Sequence, residues 1–265
     1  MAVPQPIHRF CKDNIHVTRR EARSPRGTLL LIHGLGGSAL CYDRILLHPA
    51  LMDWTLTAVD LPGYGKSPWA EEPLPIEEFV DLAARFAASI EGPVVLGGHS
   101  MGGVIGTLLA DRHPELLRGF LNIEGNISRD DCVYSGQIVA HSPEEHLAFG
   151  FAQYLDRLYE GGLKNAAWRN LYPSTRFCDP RAIYRNSREL VDISEPEELA
   201  AIMGGLSIPA LYVAGHPGGT GEYSLGLLRR AGGECAVVPD AGHYVMYDQP
   251  DAFASITAKF LMNVE

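Results

Sequence analysis

Ser100 stands in Gly98-His99-Ser100-Met101-Gly102, a GxSxG arrangement that follows the apolar run Val94-Val95-Leu96 and precedes a helix-forming stretch starting near Val104. On a tight turn between a buried strand and a helix, a serine hydroxyl is presented at a helix N-terminus. There the macrodipole and free backbone N–H groups favour the negative charge that develops during acyl transfer. Such a turn brings neighbouring chain so close that side chains at the flanking positions would clash, which accounts for Gly98 and Gly102. A glycine-rich helix start with an idle serine would spell the same five letters. The strand before and the helix after favour a nucleophile.

The elements that must position this serine are legible from Gly27 onward, where short β-branched or leucine-rich runs (28–33, 56–60, 94–99, 120–124) alternate with amphipathic stretches (39–47, 75–90, 104–113). The alternation resumes at 209–215, 223–231 and 235–240 and closes with a helix from Pro250 to Met262. It calls for a parallel sheet with helices on both faces. Two edge strands over residues 5–20 bring the expected total to eight. Between residues 127 and 206 the strands disappear in favour of helical periodicity (Leu147, Phe151, Tyr154, Leu155, Leu158) broken by Gly161, Gly162, Pro173 and Pro180. The expected organisation is one core, 1–126 with 207–265, and a helical insertion, 127–206.

Three further motifs occur in a telling order: His33-Gly34-Leu35-Gly36-Gly37 closing the strand at 28–33, Asp60-Leu61-Pro62-Gly63-Tyr64-Gly65-Lys66-Ser67 after the next, and Ala241-Gly242-His243 after the last. With the serine turn they make the chain resemble the α/β-hydrolase superfamily from about Gly27 to Phe260, as an HGxxG loop, a DxxGxGxS loop and a histidine loop. The resemblance implies an eight-stranded, mostly parallel sheet with a helical cap inserted after strand six. It further implies Ser100 as nucleophile, His243 as the base, and an oxyanion hole of the Leu35 and Met101 backbone N–H groups. An imidazole suits the base because it titrates near neutrality. The other histidines read as structural or solvated.

A carboxylate must hold that imidazole in the right tautomer. The superfamily's usual place is just past the seventh strand, where this chain reads His216-Pro217-Gly218-Gly219-Thr220-Gly221 and has no acid. Some members carry the acid at the end of strand six, and Glu124 directly follows Phe120-Leu121-Asn122-Ile123. A lone carboxylate at the end of a central strand is costly to bury without a partner, so Glu124 is the expected acid. The rivals are Glu222, which reads as the N-terminal acid of the next helix, and Asp240, three residues before His243 and awkwardly close in the chain.

Other chemistries fit less well. Gly34 to Ala39 matches GxGxxA after a strand, with Asp60 at a plausible ribose-binding distance, but a dinucleotide site leaves the serine and histidine motifs unexplained. Gly65-Lys66-Ser67 lacks the earlier glycine of a phosphate loop. His141 and His146, five apart around Glu144 and Glu145, cannot share a helix face as zinc ligands and read as surface residues. Neither a metal nor a cofactor is expected.

Lys+Arg 22 against Asp+Glu 32, a formal charge of −10, disfavours nucleic acid and anionic membranes. Five scattered cysteines without a CxxC pair read as reduced thiols. The N-terminus lacks a basic-then-apolar leader and no run reaches the ~18 apolar residues of a span, so a cytoplasmic protein is expected. The expected activity is hydrolysis of an ester or thioester of a small to medium, partly apolar substrate. C–C bond hydrolysis, acyl transfer or cyclisation on the same residues are alternatives, and a non-catalytic ligand-binding protein is the alternative of another class. Phe149, Phe151, Tyr154, Tyr159, Trp168 and Tyr172 are candidates to line the pocket, most of them expected to be the insertion's own core.

Overall fold

A computed structural model describes residues 5–264. Its strands are β1 (Ile7–Lys12), β2 (Ile15–Arg20), β3 (Thr28–Ile32), β4 (Thr55–Asp60), β5 (Val94–His99), β6 (Gly119–Ile123), β7 (Ala210–Gly218) and β8 (Cys235–Gly242). They form one sheet in the order β1-β2-β4-β3-β5-β6-β7-β8, antiparallel through β4 and parallel from there on. All residues of β3, β4, β5 and β6 are buried, the pattern of strands covered on both faces. β1 and β2 are joined through Asp13 and Asn14, both at positive φ (51° and 62°), the backbone twist that a two-residue hairpin turn requires. Of these two strands β1 alone is an edge: β2 is covered by β4, and the other edge of the sheet is β8.

The helices are α1 (Asp43–Leu46), α2 (Ile76–Ala88), α3 (Met101–Arg112), α4 (Val133–Ile138), α5 (Pro143–Glu145), α6 (Phe151–Gly162), α7 (Ala166–Arg176), α8 (Pro180–Ser194), α9 (Glu198–Gly205), α10 (Glu222–Arg230), α11 (Val245–Asp248) and α12 (Pro250–Asn263). From α4 to α9 the chain between β6 and β7 carries no strand. α9 packs on α3 and α10, whereas α7 lies over the 3₁₀ turn Ala39–Tyr42 and against α11. His146–Gly150 is a π-helical turn leading into α6. Its extra residue rotates the apolar face, so Leu147 is 51% exposed while His146 is buried, hydrogen-bonded through Nε2 to the Pro180 carbonyl at 3.1 Å. His146 is therefore not the surface residue its spacing suggested.

The stretch 39–47, expected as one helix, is the 3₁₀ turn Ala39–Tyr42 followed by the single turn α1. Arg20, fully buried on β2, captures the carbonyl that ends this stretch and three that follow it, donating to Leu46 O (2.8 Å), Leu51 O (2.8 Å), Trp54 O (2.7 Å) and Met52 O (3.4 Å). One guanidinium thus closes the whole β3–β4 connection. Arg20→Met leaves these carbonyls without their donor and is expected to cost at least about 3 kcal/mol, read as a lower urea midpoint at unchanged m-value.

Candidate active site

Register brings the candidate residues to one end of the sheet. Ile32 is level with Gly98, His99 with Ile123, and Ile123 with Val213, so the chain leaves β3 at His33-Gly34, β5 at Ser100 and β6 at Glu124 side by side. The ladder runs one step further through Ser100 N–H to Ile123 O (3.0 Å) and Glu124 N–H to Val213 O (3.0 Å). Strand order reverses at β3, the position at which open α/β sheets leave a crevice beyond their carboxyl ends.

Ser100 is the N-cap of α3 with φ 54° and ψ −118°, a backbone that an L-residue adopts only under constraint. The constraint is close packing. A Cβ on Gly98 would collide with the Gly102 carbonyl, and one on Gly102 with the Ile32 carbonyl. Gly34 lies against the serine itself, since a Cβ there would stand 2.7 Å from Ser100 Cβ. Leu35, next in the chain, lines a cavity with Ser100, and Met101, directly after the serine, opens α3 with an amide that the helix leaves free.

His33 holds the glycine loop in shape. Leu61 N–H donates to its Nε2 (3.0 Å), so Nδ1 carries the hydrogen and donates to Gly34 O (2.8 Å). Burial, opposed by the Asp60 charge, keeps this imidazole below the usual histidine range. Asp60 is likewise consumed: Oδ1 accepts from Ala39 N–H (2.6 Å) and Oδ2 from Lys66 N–H (2.8 Å), so it braces two loops rather than facing a ribose.

His243 follows β8 on a loop tied down by Gly242 N–H to Asp248 Oδ2 (2.8 Å). His99, fully buried beside Ser100, donates from Nε2 to the His243 carbonyl (2.8 Å) and lies ring to ring with it, 4.7 Å between centroids. Burial, with the His243 ring as a lesser cause, pushes the His99 imidazole well below the usual range, so His99 itself is neutral at neutral pH.

Glu124 is 2% exposed and itself at positive φ (55°). Its Oε1 accepts from Gly215 N–H (2.6 Å) and Thr220 N–H (3.2 Å), and its Oε2 from Thr220 Oγ1 (3.2 Å) and His243 Nδ1 (3.2 Å). The acid-free loop after β7 thus supplies donors to the carboxylate that ends β6. Glu222 is exposed and paired with Arg229 at 3.2 Å, and Asp240 is exposed on β8. Neither has a hydrogen bond to His243 among the described residues.

Ser100 and His243 line one small cavity together with Leu35, Asn126, Tyr134, Tyr154 and Tyr244. Of the aromatic lining candidates only Tyr154 reaches it: Phe149 and Tyr159 are 42% and 56% exposed, and Phe151, Trp168 and Tyr172 pack against the core. Asn126, Tyr134 and Tyr244 were not expected from the sequence. Tyr244 adjoins His243, but Tyr134 sits on the short α4, whose six residues carry no periodic signal. Among the described residues no group of three or more His, Cys, Asp or Glu could hold a metal, no helix is long and apolar enough to cross a membrane, and all five cysteines are free.

A serine at a strained strand-to-helix turn, an imidazole across one cavity and a doubly wound sheet beneath define a hydrolase of α/β architecture. The chain belongs to the alpha/beta hydrolase family, whose model matches residues 29–256. It is 29% identical over 252 residues to a pimeloyl-[acyl-carrier protein] methyl ester esterase of Neisseria meningitidis, covering 88% of this chain and 76% of that one. It is 25% identical to a 2-succinyl-6-hydroxy-2,4-cyclohexadiene-1-carboxylate synthase of Serratia proteamaculans, with 92% and 96% covered. An N-acyl homoserine lactonase, AidH, has the same fold at TM-score 0.74 and 23% identity, covering 98% of this chain and 97% of that one.

The buried imidazoles carry a pH prediction. His33, His99 and His146 are all held below the ordinary value of 6.5, each chiefly by burial. Below about pH 6.5 the unfolded chain takes up protons that the folded chain refuses, so stability is complete above that pH and declines as pH falls. The melting temperature is expected to drop steadily from about pH 7 to about pH 5, with a shallower slope in His146→Gln. Calorimetry at constant ionic strength checks this, and a flat profile contradicts it.

Proposed function

We propose that this protein hydrolyses carboxylic esters through an acyl-enzyme on Ser100. One observation carries the reading: Ser100 and His243 face one cavity while the far nitrogen of His243 is hydrogen-bonded to buried Glu124. Ser100 Oγ attacks the ester carbonyl as its proton passes to His243 Nε2, and the oxyanion is received by the Leu35 and Met101 N–H groups. The tetrahedral adduct collapses with loss of the alcohol, which takes the proton from His243. Water then repeats the sequence, its proton going to His243 and its oxygen to the acyl carbon, and Ser100 regains its hydrogen as the acid departs. Glu124 holds the Nδ1–H tautomer and stabilises the imidazolium. The Neisseria relative is an esterase by name, in keeping with this chemistry.

The helices within residues 127–206 form the lid, since Tyr134, Tyr154 and Leu190 from that segment wall the cavity against water. Five free thiols suit a reducing, cytoplasmic setting, and a small-molecule ester is the partner that so enclosed a site admits. The test is covalent labelling by a fluorophosphonate probe, mapped to Ser100, together with turnover of p-nitrophenyl butyrate. Labelling without turnover of any ester would point to acyl transfer, and absence of both to a binding protein.

A further inference from the structure

The space directly over Ser100 is about 20 Å³, room for one water and for no ester. A second cavity of about 150 Å³ lies beside it, floored by Glu124 and the loop from Gly218 to Gly221. Tyr134, Asp131 and His243 line both. Tyr134 is half-buried on α4, edge-on to Trp168 at 6.2 Å and 5.8 Å from the His243 ring, so its side chain stands between the two spaces.

We propose that Tyr134 is a specificity-determining residue: it partitions the nucleophile from the outer cavity, and the alcohol arm of the ester occupies that cavity when the ring turns aside. This rests on Ser100 acting as the esterase nucleophile. The departing alcohol must collect its proton from His243, and His243 is common to both spaces, so the alcohol arm is the part of the substrate that reaches outward. Joining the two volumes admits a chain that neither holds alone. The lining also selects charge. Its acidic groups are Glu124, Asp130 and Asp131, and no lysine or arginine is among the described residues that line it, so the alcohol is uncharged or cationic and an anionic one is repelled.

Gly221 offers a second handle on the outer cavity. It has ordinary extended backbone (φ −71°, ψ 160°), and a Cβ added there meets nothing within 4 Å. Acetate esters make the test clean, because every one passes through the same acetyl-enzyme and differences in kcat/KM report the alcohol alone. The ratio of kcat/KM for hexyl over ethyl acetate is expected to rise about tenfold in Tyr134→Ala, to fall about tenfold in Gly221→Leu, and to stay within about twofold in Tyr134→Phe. Hexyl acetate should exceed the acetate ester of 6-hydroxyhexanoate by at least about tenfold, a preference that shrinks in Asp131→Asn, whose oxygen can still accept from the Ile127 and Ser128 N–H groups that Oδ2 now serves. Should Tyr134→Ala fail to fold, the Gly221→Leu ratio decides. Fluorophosphonate labelling of Ser100 with an unmoved ratio overturns the proposal for Tyr134 alone. Neither labelling nor acetate turnover in the wild type overturns the esterase reading and this one with it.

Discussion

Ser100→Ala is expected to lower kcat by about 10⁶-fold, leaving the fold intact. The serine contributes no packing that alanine lacks, whereas its hydroxyl is the group on the strained turn expected to carry the acyl chain. His243→Ala should cost about as much, and the double variant little more than either, because the two act as one unit. The turn supplies an internal control. Ser100 holds φ 54° against steric preference, so Ser100→Gly, equally inactive, should gain about 1 kcal/mol or more of stability over Ser100→Ala. Retention of more than a few per cent of turnover by Ser100→Ala, with p-nitrophenyl butyrate and freshly refolded protein, would remove Ser100 from the chemistry.

Glu124→Gln should lower kcat by roughly 10²- to 10⁴-fold with KM little changed. The substitution preserves shape, and the glutamine oxygen can still accept from Gly215 and Thr220 N–H as Oε1 does now. Its amide nitrogen then stands where Oε2 accepts from His243 Nδ1 at 3.2 Å. Facing a donor, the imidazole turns to the tautomer with hydrogen on Nε2 and can no longer take the serine proton. The loss is chemical rather than structural, so the melting temperature should move far less than the rate. Glu222→Gln and Asp240→Asn should remain within about tenfold of wild type, since both side chains lie exposed. A larger loss in either, with Glu124→Gln active, would transfer the acid role.

Particular residues show how far the sequence reached. The strand runs at 28–33, 94–99 and 120–124 were legible because strands buried on both faces need continuous apolar runs, and no other element is so short and so uniformly apolar. Gly98 and Gly102 were legible because turns that bring backbones into contact tolerate no Cβ. His146 and Leu147 were misplaced, since a π turn shifts helical phase without leaving a compositional trace. The stretch 39–47 forms a 3₁₀ turn and one α turn rather than a single helix, and its end is held at Leu46 by a guanidinium from β2, a contact across more than twenty residues of chain.

The sequence by itself determined the architecture and the tight turn at Ser100, because both follow from local spacing: apolar runs, amphipathic periods and glycines at fixed offsets from Ser100. It also marked Glu124, through the oddity of a carboxylate closing an apolar strand. Only the tertiary structure decided which acid lies against His243, which residues wall the cavity, and that His99 ties the histidine loop to the serine turn by one 2.8 Å hydrogen bond. These are meetings of β5, β6, β7, β8 and α4, far apart in the chain. Their closeness comes from strand register and crossover geometry, which no local pattern of residue types encodes.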